Sequence, residues 1–216
     1  MPLPSPDLTI DRDAVLWSAS ERDRAGRPLL VLLHGYASDE ADLFGISAYL
    51  PLEPVIASVR APIPEGQGFA WFSRFTNVPG DPLAANADAA ARAVLDWLDD
   101  QPVTPTGLLG FSQGGAMALQ LLRLAPERFD YAVQLSGFVV QGDGADDARL
   151  AAHRPPVFWG RGTADETIPA ASIARTTAWL PDHTELDARI YEGMGHSIST
   201  RELADIAAFI RLHLRS

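Results

Sequence analysis

The sequence contains no cysteine. This excludes a thiolate nucleophile, a disulfide framework and any cysteine-ligated metal site, and it leaves the redox compartment open. Cationic charge is also scarce. Seventeen Lys and Arg stand against 28 Asp and Glu, for a net charge of −11 and a pI near 4.7. That balance argues against nucleic acid or an anionic membrane as the main partner. No apolar run approaches the ~20 residues needed to span a bilayer. The opening stretch Met1-Pro2-Leu3-Pro4-Ser5-Pro6-Asp7 has neither the basic n-region nor the apolar h-region of a signal peptide. Internal repeats and interdomain linkers are missing too. The expectation is a cytoplasmic protein without integral membrane association, folded as a single domain over residues 1–216, with residues 1–12 a loosely ordered extension.

What is present is a chain of 216 residues that is 47% hydrophobic, enough to bury one substantial core without cross-links. Short β-rich runs alternate with helical stretches, which predicts an α/β fold: a mostly parallel sheet with helices on both faces. Leu29-Leu30-Val31-Leu32-Leu33 is a continuous apolar strand of the kind buried on both sides. Further strands are expected at 14–18, at Val55 to Val59, Thr106 to Leu109, Tyr131 to Leu135, Pro156 to Trp159, and Ala188 to Tyr191. Helices are expected within Asp81 to Asp100, after Ser112, over Ala170 to Trp179, and over Thr200 to Leu214. Gln141 to Asp147 is acidic and glycine-rich and reads as an exposed, solvated loop. It lacks the spacing and terminal glutamate of a calcium loop. No insertion large enough for a separate lid domain separates Leu135 from Pro156, which implies an accessible site.

The most informative segment is Gly110-Phe111-Ser112-Gln113-Gly114. It joins an expected strand to an expected helix with a serine at the apex, and glycines on either side remove Cβ atoms that would crowd so sharp a turn. Such an elbow exposes a hydroxyl at the carboxyl edge of the sheet, beside the N–H groups of a helix N-terminus. In α/β-hydrolases, where this elbow occurs, nucleophile, acid and base follow in that order along the chain. Of the five histidines, His34 precedes the serine and is excluded as base. His153 and His183 lead into strands, at the amino edge, and His213 sits on the terminal amphipathic helix. His196 follows the strand ending at Tyr191 and so lies at the same edge as Ser112. Asp165, after the Pro156 to Trp159 strand, is the preferred acid, with adjacent Glu166 its rival. Asp182 and Asp187 fall before the last strand, at the wrong edge. Ser112, Asp165 and His196 thus form a candidate nucleophile, acid and base. The loop His34-Gly35-Tyr36-Ala37 would supply the backbone N–H of Tyr36 to an oxyanion hole, with the N–H of Gln113 as its second donor. Trp71, in an aromatic-rich segment from Gly68 to Phe75, is the candidate substrate-binding ring.

With those residues in place, the chain resembles the carboxylesterase/phospholipase family of α/β-hydrolases, which includes small bacterial carboxylesterases and acyl-protein thioesterases. The resemblance runs from about Leu29 to Phe209. It rests on Leu33-His34-Gly35, Asp39 with Asp42-Leu43, Ala70-Trp71-Phe72, Gly110-Phe111-Ser112-Gln113-Gly114-Gly115, Gly160 with Asp165, and Gly195-His196. It implies a cofactor-free serine esterase acting on carboxylic or thioester acyl groups. The expected partner is a small-molecule ester, with no metal, and the expected assembly is a monomer or homodimer. Two positions depart from the family pattern: Ala37 stands where glycine is common, and Ser73 where the thioesterase branch often has aspartate. Both departures favour small-molecule ester hydrolysis over protein depalmitoylation.

Overall fold

The structure is a computed structural model that describes residues 8–73, 84–102, 106–142, 144 and 146–214. The strands are β1 (Leu16–Trp17), β2 (Leu29–Leu33), β3 (Val55–Val59), β4 (Ile63–Glu65), β5 (Gly68–Ala70), β6 (Thr106–Phe111), β7 (Tyr131–Leu135), β8 (Pro156–Gly162) and β9 (Glu185–Tyr191). The helices are α1 (Glu40–Phe44), α2 (Ala84–Asp99), α3 (Gln113–Leu124), α4 (Asp147–His153), α5 (Ala170–His183) and α6 (Thr200–His213). Seven strands form one sheet in the order β1-β3-β2-β6-β7-β8-β9, and β4 with β5 makes a separate hairpin. Every pairing in the large sheet is parallel except β1 against β3.

The apolar runs become central strands because both faces of the sheet are covered. Along β2, Leu29, Val31 and Leu33 enter a core shared with α2 and α3, while Leu30 and Leu32 enter the opposite core with Leu203, Ile206 and Phe209 of α6. This two-sided burial leaves no polar position in the strand. The strand order reverses about β2, with β3 on one side and β6 on the other. A crevice therefore opens between the carboxyl ends of β2 and β6, where open parallel sheets bind their ligands.

Several local expectations are corrected. Val15 and Ser18 fall outside β1, which keeps only two residues. Within the expected loose extension, residues 1–7 lie outside the described residues. Ile10, however, is buried and Leu8 packs on the core, so the chain is anchored before residue 12. Helix α5 runs past Trp179 and through Pro181, and the Arg154 guanidinium takes up the C-terminal carbonyls of Pro181, Asp182 and Thr184 at 2.7–3.0 Å. β9 begins at Glu185, so Asp187 lies inside the strand rather than before it. His153 and His183 are the last residues of α4 and α5 rather than loop residues. Asp147 is not a solvated loop carboxylate. It begins α4 and holds the buried Arg123 through two bonds of 2.7 Å. Burial alone would raise its carboxyl, but the Arg123 bonds outweigh that and hold it below the usual range. Asp143 lies outside the described residues. Among the described residues no group of three or more acidic, histidine or cysteine side chains is placed to hold a metal ion. No helix among them is long and apolar enough to cross a membrane.

Helix α6 contains an ionisable group in an unusual position. Ser199 caps its N-terminus by accepting the Glu202 N–H at 3.1 Å, half of a capping box. The Glu202 side chain does not reach back to complete the box. It is fully buried against Gly160, and neither carboxyl oxygen has a partner among the described residues. Burial pushes its pKa up to about 7. The unfolded chain releases this proton above about pH 4.5 and the native state only above about pH 7. Native stability therefore falls as pH rises through that window, by about 3 kcal/mol in full. Urea unfolding of Glu202→Gln at pH 5 and pH 8 should show that this drop, about 2 kcal/mol between those two values, is lost from the variant. An identical pH dependence in the two proteins would contradict the assignment.

Candidate active site

The elbow at Ser112 is a strained turn held in place by its neighbours. Ser112 has φ 55° and ψ −115°, outside the regions that side-chain-bearing residues favour. Its N–H donates to the Leu135 carbonyl of β7 at 2.8 Å, and its carbonyl accepts the Ala116 N–H at 3.1 Å. The flanking glycines are required by contact. A Cβ on Gly110 would collide with the Gly114 carbonyl, and one on Gly114 would collide with the Leu33 carbonyl. The second contact also brings the N-terminus of α3 against the end of β2, where the His34 loop begins.

The three groups expected at separate strand ends meet here. His196 Nε2 is 2.9 Å from Ser112 Oγ, and His196 Nδ1 is 2.8 Å from Asp165 Oδ2. Asp165 is an acceptor, so Nδ1 carries the proton and Nε2 presents its lone pair to the hydroxyl. The other carboxylate oxygen accepts the N–H groups of Thr167 and Ile168 at 2.9 and 3.3 Å. Burial would raise the Asp165 carboxyl, but the His196 bond and these two N–H donors outweigh it and keep the group below its usual range. Glu166, the rival acid, is exposed, and the bond to His196 belongs to Asp165. The loops of Asp165 and His196 are also joined to each other: Ala164 N–H donates to Met194 O at 3.0 Å, and Gly193 N–H to the side-chain Thr163 Oγ1 at 2.9 Å. The Phe111 ring lies 4.8 Å from the His196 ring and limits its rotation.

On the other side of Ser112, Gln113 is the first residue of α3, so its N–H has no acceptor within the helix. Tyr36 lies half-buried in the loop after β2, two residues beyond the buried His34. The Ala61 N–H donates to His34 Nε2 at 3.0 Å, so the proton sits on Nδ1 and goes to the Gly35 carbonyl at 2.7 Å. Burial lowers the His34 pKa and keeps the ring neutral, which makes it a fixed strut of this loop. Ala37 has φ 56°, a left-handed conformation that explains why glycine suits this position better. Asp39 caps α1 by accepting the N–H groups of Ala41 and Asp42, which is a structural role.

Trp71 corrects the reading of a substrate-contacting ring. It is completely buried, its indole N–H donates to the His34 carbonyl at 2.9 Å, and its ring packs 5.6 Å from the His34 ring. Substrate has no access to it, and it braces the Tyr36 loop from beneath. Arg74 and Phe75 of the same aromatic segment lie outside the described residues. The Gln113 side chain, weighed in sequence only for its backbone, holds this brace. Its Oε1 accepts the Trp71 N–H and its Nε2 donates to the Phe72 carbonyl, both at 2.8 Å. The signal was available in the pairing of Gly-Phe-Ser-Gln-Gly-Gly with Ala-Trp-Phe, since a glutamine amide is the one side chain there that can match an N–H and a carbonyl together.

Comparison with known proteins points the same way as this geometry. The sequence pattern of the family described as Phospholipase/Carboxylesterase matches residues 18–214. Acyl-protein thioesterase 1 of Eremothecium gossypii is 26% identical, over 89% of this chain and 91% of its own. Acyl-protein thioesterase 1 of Saccharomyces cerevisiae is 28% identical over 68% of this chain, which spans 66% of the yeast protein's length. The crystal structure of esterase PE8 superposes with a TM-score of 0.77 at 25% identity, covering 96% of this chain and all of that one (100%). A carboxylesterase from Mesorhizobium loti shares the fold, with a TM-score of 0.78 at 23% identity over 95% of this chain and 99% of its own.

The Gln113 clamp has a direct test in Gln113→Ala. The change leaves the Trp71 N–H and the Phe72 carbonyl buried without partners, and urea unfolding should show a loss of about 2–4 kcal/mol. A variant as stable as the parent would show that the amide does not hold the Trp71 segment.

Proposed function

Because the chain belongs to the phospholipase/carboxylesterase family, a family of serine hydrolases acting on ester bonds, we propose that it hydrolyses carboxylic esters of small or medium acyl chains through an acyl-enzyme on Ser112. The observation that carries this reading is the continuous chain of hydrogen bonds from Ser112 Oγ through His196 to Asp165, at 2.9 and 2.8 Å. As Ser112 Oγ attacks the substrate carbonyl carbon, His196 Nε2 takes the hydroxyl proton and Asp165 stabilises the resulting imidazolium. The carbonyl oxygen becomes an oxyanion facing the N–H groups of Gln113 and Tyr36. Collapse of this intermediate breaks the bond to the alcohol, which leaves with the proton from Nε2. Water then attacks the acyl-serine with the same imidazole as base. The carboxylic acid departs and Ser112 regains its proton.

The preference for small or medium acyl chains rests on Ala37 and Ser73, the two departures from the thioesterase pattern. Among the described residues the segment between β7 and β8 carries one helix, the short α4, and Phe138, Val139 and Val140 are buried. The loop around Ala37 is also tied to β5, where the Phe69 N–H donates to the Ser38 carbonyl at 2.8 Å. A second reading, thioester or lysophospholipid hydrolysis by the same three groups, is favoured by the names of the yeast relatives, which are acyl-protein thioesterases.

A panel of p-nitrophenyl esters of graded chain length, acyl thioesters and lysophospholipids separates these readings. Highest kcat/KM on short and medium esters is expected, with Ser112→Ala and His196→Ala each lowering kcat by roughly 10⁴–10⁶. Preference for long-chain thioesters would transfer the assignment to the second reading. Undiminished turnover by Ser112→Ala would contradict both.

A further inference from the structure

Strand β9 has a pattern that the site does not explain. It lies at the end of the sheet order, with β8 on one side and no strand of the described residues on the other. The backbone groups that serve β8 can be read from the ends of the ladder. The Glu185 N–H donates to the Pro155 carbonyl, and the Tyr191 carbonyl accepts the Thr163 N–H, both at 3.0 Å. The N–H and C=O of one residue point to the same side of a strand, and those of the next residue to the opposite side. Residues 185, 187, 189 and 191 therefore face β8. The backbone groups of Leu186, Ala188 and Ile190 point outward along the edge.

The side chains sort with equal regularity. Leu186, Ala188 and Ile190 occupy one face, where Leu186 packs on the core beside α5 and Ile190 is 58% exposed. Asp187 and Arg189 occupy the other face, joined to each other at 2.8 Å and lining a groove against α6. Leu212, 78% exposed, stands on the far wall of that groove. Edge strands are commonly protected by charged side chains, lysine above all, or by proline; β9 has neither lysine nor proline, and its charges Glu185, Asp187 and Arg189 are of both signs and all on one face.

We propose that β9 is the interface of a two-fold symmetric dimer, pairing antiparallel with β9 of a second copy about Ala188. The argument is self-complementarity. Centred on Ala188, the pairs that exchange hydrogen bonds are Ala188 with the partner's Ala188 and Leu186 with the partner's Ile190, taken twice. These are the residues whose backbone groups point outward. On one face the exposed Ile190 is covered by the partner's Leu186. On the other, Asp187 meets the partner's Arg189, and the two internal ion pairs merge into a ring of four alternating charges. The neighbouring centres fail on charge: a two-fold at residue 187 sets Asp187 against Asp187, and one at 189 sets Arg189 against Arg189. The opposite edge, β1, has only two residues and offers no matching surface, so the assembly closes at two copies.

Light scattering coupled to size exclusion, at micromolar protein, tests this. The wild-type chain of 23.3 kDa should run at twice that mass. Ala188→Pro removes only an outward-facing N–H, so the ladder to β8 survives and the variant should be a folded monomer by circular dichroism. Arg189→Asp should also be monomeric, and the double exchange Asp187→Arg with Arg189→Asp should restore the dimer. A monomeric wild type would overturn the proposal. So would a dimer that persists in both single variants.

Discussion

The geometry of the site depends on one turn in which Ser112 is held at φ 55°. A serine at φ 55° and ψ −115° is costly in isolation, on the order of 1–3 kcal/mol. The surroundings over-determine it. The Leu135 carbonyl holds its N–H, and the contacts Gly110 to Gly114 and Gly114 to Leu33 leave no room for side chains. The strain is useful because it lifts Oγ clear of the sheet while keeping the next residue at the head of α3. The proposed nucleophile Ser112 and the proposed oxyanion donor Gln113 are therefore placed by a single backbone feature, and His196 has only to reach one fixed point.

The supports on either side of that turn have different physical character. The loops that carry Asp165 and His196 are joined by the Ala164 N–H to the Met194 carbonyl and by the Gly193 N–H to the Thr163 hydroxyl, which fixes one loop against the other. The oxyanion side is built from buried side chains: neutral His34, the Trp71 indole and the Gln113 amide, each with its polar atoms matched. Such a network is rigid because any movement would leave a polar group buried without a partner. Catalysis of acyl transfer requires that rigidity where the oxyanion forms, since donors already in place need not reorganise.

Much of this was legible in the sequence, for identifiable reasons. β2 was readable residue by residue because a strand buried on both faces is a continuous apolar run, and β3 and β7 because only a single polar residue, Ser58 or Gln134, interrupts theirs. Ser112, Asp165 and His196 were readable because each follows a recognisable strand, and position at a strand end is a sequence property. What escaped were features set by long-range partners. Helix α5 continues through Pro181, and the last carbonyls of its extended end are received by Arg154, 27 residues earlier in the chain. Trp71 reads as a binding-site ring until its partners, His34 and Gln113, are known. The three-residue strands β4 and β5 are too short to show a period, whereas β9 alternates polar and apolar from Glu185 to Tyr191, so its full length was open to a period-2 reading.

The claim that this turn presents a nucleophile is tested most directly by intact-protein mass spectrometry and peptide mapping after treatment with a fluorophosphonate. The account predicts a single phosphonyl adduct on Ser112, formed in step with complete loss of ester hydrolysis. Full activity in the treated protein, or inactivation with the adduct on another residue, would contradict it.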